Sequence, residues 1–138
     1  MKKYTAHYRG SVQGLITRQH QAIFATRHKE GQPGALHRFD VSAEAPVITE
    51  SALPCGASAL TSDEKNLYLA GDNGKLYQAE LLKGSPKAVA NVAWDEKDPV
   101  IALTPLAKNQ LALLHVEAVR IITLKGKAAE QSFPLTIK

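Results

Sequence analysis

The chain has 138 residues, 44% of them hydrophobic and 22% charged, with one cysteine and a formal charge of +4. That balance excludes a disordered tail and a disulfide scaffold, and it fits one compact domain with a core of its own. The longest apolar runs, such as Val100 to Leu103 and Leu111 to Leu114, are far too short to cross a bilayer, and the basic start Met1-Lys2-Lys3 lacks the apolar stretch of a signal peptide, so a cytoplasmic, reducing setting is expected.

In chain order, the alternation over Lys3 to Tyr8 predicts an extra outer strand in residues 1–9. A first unit (10–53) follows. It has a Leu15-Ile-Thr17 start, a polar turn and a β-rich stretch to Thr26, then predicted strands over Ala35 to Val41 and Pro46 to Glu50. The second unit (54–98) repeats the pattern with Leu60-Thr61, a turn, Leu67 to Ala70, Leu76 to Leu81 and Lys87 to Trp94. The third (99–138) runs Leu103-Thr104, a turn, Leu111 to Leu114, Val119 to Leu124 and Gln131 to Ile137. The three starting leucines lie 45 and 43 residues apart, the spacing of β-propeller blades, each of which is a small antiparallel sheet.

The connectors fit this reading. Asp72-Asn73-Gly74 supplies residues that tolerate positive φ, as a tight hairpin requires. The equivalent loop of the first unit, Arg27 to Gly34, is longer, and that of the third, His115 to Ala118, has no glycine and is the least regular reversal. Leu111 to Ile122 also satisfies helical periodicity, but its alignment with two units that hold central Gly or Pro, and the β-branched run Val119 to Ile122, decide for strands. Tyr68 and Tyr77 are expected to form a cross-strand aromatic pair.

The second unit resembles a degenerate WD40 repeat. Thr61-Ser62-Asp63-Glu64-Lys65 stands where that family has Ser-Pro-Asp-Gly-Lys, and Asp72-Asn73-Gly74-Lys75-Leu76 where it has Asp-Asp-Gly-Thr-Val. The Trp-Asp position falls on Phe39-Asp40, Ala79-Glu80 and Ile122-Thr123, and only the first keeps an aromatic residue before an Asp. The chain departs from the family in lacking its Gly-His pair, on which the buried His, Ser or Thr, Asp and Trp network depends. The Trp94-Asp95 dipeptide lies one strand too late and is read as coincidence. The resemblance implies an all-β propeller of about three four-stranded blades.

Propellers have four to eight blades, so three would leave two apolar flanks exposed. Closure by a second copy, by another propeller chain, or within a longer propeller all satisfy that requirement. Residues 1–40 carry a net charge of +5 and the rest −1, and four of the five histidines lie in the same region. The hairpin Arg27-His28-Lys29 is the expected partner-binding surface. No catalytic elbow, phosphate loop, calcium loop or metal-ligand spacing is present; Cys55 reads as a buried thiol, and surface positions are expected for all five histidines. No catalytic residue, metal or cofactor is therefore expected. The function expected is a non-enzymatic protein–protein interaction scaffold that binds a protein or itself. The alternatives are a nucleic-acid-associated subunit using the basic first unit, and a propeller hydrolase active only as an assembled ring.

Overall fold

The computed structural model describes residues 11–27, 33–42, 47–107, 109–124 and 130–134, and only the backbone at 130 and 131. The expected extra strand at 1–9 lies outside the described residues. Twelve strands form three separate four-stranded antiparallel sheets, each built from strands consecutive in the chain. The first holds β1 (Ser11–Arg18), β2 (Gln21–Arg27), β3 (Ala35–Asp40) and β4 (Val47–Ala52). The second holds β5 (Ala57–Ser62), β6 (Asn66–Gly71), β7 (Lys75–Glu80) and β8 (Lys87–Ala93). The third holds β9 (Ala102–Pro105), β10 (Gln110–Leu114), β11 (Ala118–Thr123) and β12 (Glu130–Pro134). The protein is thus all-β over its described length, in an arrangement compatible with a blade repeat. Among the described residues no helix is long and apolar enough to cross a membrane.

The register carries the repeat down to single residues. Leu15 pairs with Phe24, Leu60 with Leu69 and Leu103 with Leu113, so the three starting leucines occupy one position in their sheets. The segment from Leu111 to Ile122, which also fits a helix, is a hairpin with Leu111 opposite Ile122. Its glycine-free reversal is tight and regular, closed by the His115 N–H donating to the Ala118 carbonyl at 2.8 Å. In the second sheet Gly74 adopts φ +78° beside the Trp94 carbonyl, where a side chain would collide. The preceding turn is organised by Asp63, whose Oδ1 accepts the N–H groups of Lys65 and Asn66 while Oδ2 accepts the Tyr68 hydroxyl at 3.0 Å.

Two cores separate the three sheets. Ile23, Ala25 and Leu36 of the first sheet pack with Leu67, Leu69, Tyr77 and Ala79 of the second. Tyr68, Ala70 and Leu76, on the opposite face of the second sheet, pack with Leu111, Leu113 and Ile122 of the third. Alternation along each strand makes this possible, because successive side chains leave on opposite faces. It also corrects the expected tyrosine pair: Tyr77 lies opposite Leu69 and Tyr68 opposite Gln78, so the two rings enter different cores. Burying each of Leu69, Leu76, Leu111 and Leu113 contributes about 2–3 kcal/mol. Between the sheets, β1 lies beside β5 and β5 beside β9, so the first strands run together.

Candidate interaction surfaces

Each sheet has a face directed back toward the preceding sheet and one directed forward toward the next. On the second sheet the backward face is Leu67, Leu69, Tyr77 and Ala79, and the forward face is Tyr68, Ala70 and Leu76. The register transfers this assignment. The first sheet's backward face carries Ala22, Phe24, His37 and Phe39, flanked by Val12, Leu15 and Ile48. The third sheet's forward face carries Ala112, Leu114, Val119 and Ile121, flanked by Ala102 and Phe133. Among the described residues no further sheet lies on either.

Exposure at equivalent positions measures the difference. Leu60 and Leu103 are packed against the two cores, whereas Leu15 is 67% exposed. Val12 and Ile48 are also exposed on that flank, as is Phe133 on the other. Leu114, Val119 and Ile121 are half-buried, while their counterparts Ala70, Leu76, Ala25 and Leu36 are sealed. Val12, Leu15 and Ile48 form an exposed apolar rim on the first sheet, and grouped exposed apolar side chains are the ordinary mark of an interface.

Arg27 ends β2 and is largely exposed, with Nε 4.0 Å from Asp72 Oδ2. Asp72 also accepts the Gly56 N–H at 3.1 Å, so Arg27 reaches across the joint between the first two sheets. His28 and Lys29 lie outside the described residues. A second first-unit cation is buried altogether: Arg38 is 3% exposed and its guanidinium donates to the carbonyls of Glu80 at 2.7 Å, Gly84 at 2.9 Å and Leu81 at 3.2 Å. Burial lowers its pKa, against the opposing pull of Glu80. Arg38 is one of the cations behind the +5 of residues 1–40, and nothing in its sequence neighbourhood distinguishes a solvated arginine from one laid across the next sheet. Among the described cations of the first forty residues, Arg18 is then the one exposed away from that joint, hydrogen-bonded to its neighbour's carbonyl, Thr17 O.

The histidines divide in a way composition could not foretell. His20 is exposed, but His37 and His115 are buried, correcting the expectation of surface positions for all five. His37 stacks on Phe24 with ring centroids 4.7 Å apart. His115 Nδ1 lies 2.8 Å from the Asp98 carbonyl and 3.5 Å from its carboxylate, and the ring meets Trp94 edge-on at 6.1 Å. Trp94 packs against the second core, and the exposed acidic turn after it places Asp98 beside the buried His115. Cys55 is buried beside the first core, and burial, reinforced by the Asp72 charge, pushes its thiol up to about 11.

Among the described residues no three His, Cys, Asp or Glu side chains converge as a metal site would require. An open groove of about 710 Å³ runs along β7 and β8, walled by Gln78, Glu80, Lys83 and Lys87, and its lining holds no histidine or cysteine. The apolar flanks are thus the features with the strongest physical case for a role. No protein-family model, no curated protein and no solved structure matches the chain.

Proposed function

We propose that the three sheets are blades of an incomplete WD40-like β-propeller and that the protein is a non-enzymatic interaction scaffold, recognised through its two end flanks. The observation that carries this is Leu15: it stands 67% exposed at the repeat position where Leu60 and Leu103 are packed. A large apolar side chain left in water at the edge of a sheet is stabilised by any protein surface that covers it.

Arg38 speaks for this reading over a nucleic-acid one, because its guanidinium is buried against carbonyls of the neighbouring sheet and is not presented to solvent. A phosphate backbone is gripped by exposed cations. The test places a photo-reactive side chain at Leu15 or Phe133 and, as controls, at the exposed turn residues Ile101 and Val116. Discrete protein adducts in native extract from the two flank positions alone are expected. Equal labelling from all four positions, or none from the flanks, would remove the scaffold assignment.

A further inference from the structure

We propose that the chain pairs with a second copy of itself through the free edge of β4, strand against antiparallel strand about a two-fold axis at Thr49, so that the first sheets of two copies become one continuous sheet. The pairing is made by main-chain groups at the rim of the sheet and stands independently of the flank reading.

An edge strand offers a row of main-chain N–H and C=O groups to any strand that can lie beside it, and proteins ordinarily blunt such an edge with proline, lysine or a bulge. The outer edges of the second and third sheets are blunted in this way. β8 begins at Lys87, its register with β7 is broken between Lys75 and Tyr77, Asn91 takes φ +63°, and the Ala93 carbonyl is occupied by Arg120. β12 ends on Pro134, which has no N–H to offer. β4 carries none of these devices. It holds no proline and no lysine, and it pairs with β3 at every position from Val47 to Ala52 without a shift. Its first three residues, Val47, Ile48 and Thr49, are β-branched and favour a pleated strand, and Val47 and Ile48 stand 56% and 46% exposed. Among the described residues no strand lies beyond it.

The ladder to β3 decides which groups are on offer. The Leu53 N–H donates to the Gly34 carbonyl at 3.1 Å, continuing the register in which Ala52 faces Ala35. Hydrogen-bonded positions alternate along an antiparallel pair, so Val47, Thr49 and Ser51 direct their main chain toward β3 while Ile48 and Glu50 direct theirs outward. A two-fold axis normal to the sheet keeps each face with its like, which requires opposed residues to come from the same face of β4. A register centred on Glu50 satisfies that condition but sets two carboxylates side by side. The register centred on Thr49 sets Thr49 against Thr49, Ile48 against Glu50 and Val47 against Ser51. The outward groups of Ile48 and Glu50 then exchange hydrogen bonds with those of Glu50 and Ile48 in the other copy. It separates the two carboxylates and gains a cross-strand threonine pair. The same patch serves both copies and both edges are used up, so assembly stops at two.

Sedimentation of the 138-residue chain is expected to give the mass of two chains. Glu50→Pro removes an outward N–H that β3 does not use, and Thr49→Lys, at an exposed position, sets two cations against each other. Each is expected to halve the mass and leave the β-sheet circular dichroism unchanged. In the paired strands the two Thr49 Cα atoms form a non-hydrogen-bonded pair about 4.5 Å apart, inside the span of a disulfide. Mild oxidation is therefore expected to join Thr49→Cys into covalent pairs, and to leave unjoined both Val47→Cys and the wild-type chain, whose own Cys55 is buried. A wild-type chain that sediments as a monomer overturns the inference. So does a two-chain mass that Glu50→Pro and Thr49→Lys both leave intact, since the copies would then meet elsewhere. Adducts at Leu15 and Phe133 decide the flank reading separately, because neither residue lies on β4.

Discussion

Leu113 and Leu114 are neighbours on β10, identical in chemistry and one residue apart, yet Leu113 is wholly buried in the second core while Leu114 is half-buried on the third sheet's forward face. The same contrast holds between Leu60 and Leu15 across 45 residues of repeat. Strand alternation fixes which face a side chain takes, but whether that face is covered depends on the next sheet. Among the described residues the middle sheet has a neighbouring sheet on both sides and the end sheets on one, and apolar residues continue onto the outer faces all the same.

The largest expected effect tests that contrast at one strand. Leu113→Ala should lower unfolding free energy by about 2–5 kcal/mol in urea titration, the cost of a core cavity. Leu114→Ala should cost less than half as much as Leu113→Ala; equal losses would mean that both side chains are equally covered.

Next in size is the polar lock of the first joint. Arg38→Met keeps much of the apolar stem but strands three carbonyls, and should destabilise by about 2–3 kcal/mol. Arg120 donates to the Ala93 carbonyl at 3.2 Å across the second joint, and Arg120→Met should cost about 1 kcal/mol. A reversal of that order would show that the second joint, not the first, depends on its arginine.

Alkaline stability separates the joints again. Cys55 beside the first core has its thiol raised from 9.0 to about 11, and Tyr68 in the second core has its hydroxyl raised from 10.0 to about 12, by burial first and the Asp63 hydrogen bond second. Both groups are neutral acids whose folded pKa exceeds the unfolded one, so the fold holds their protons more tightly. Their contribution is full below pH 9 and is lost as the unfolded chain ionises, by about 1.4 kcal/mol per pH unit for Cys55 between 9 and 11. Cys55→Ala should remove the loss that begins at 9 and leave the one that begins at 10; an unchanged profile in denaturant melts would disprove the assignment.

The smallest effect is expected at Arg27. Its contact with Asp72 is long and solvent-exposed, and Arg27→Ala should change stability by about 0.5 kcal/mol or less. A larger loss would place the joint's strength at its rim rather than in its core.

Sequence alone determined the element pattern of this protein. Period-two alternation, the turn chemistry of Asp63 and of Asp72 to Gly74, and the spacing of Leu15, Leu60 and Leu103 were enough to read an all-β chain of three repeating units, because these are properties of residues near one another in the chain. They also made Cys55 legible as a buried thiol. The tertiary structure decided what lies between units. It sent Arg38 across to the carbonyls of Glu80, Leu81 and Gly84, more than forty residues away, buried His37 on Phe24 and His115 beside Asp98, and placed Tyr68 and Tyr77 in separate cores. A charge or an aromatic ring on a strand looks alike in sequence whether it faces water or another sheet. Only the stacking of the sheets tells the two apart, since the burial that fixes the role of such a side chain is supplied by residues far along the chain.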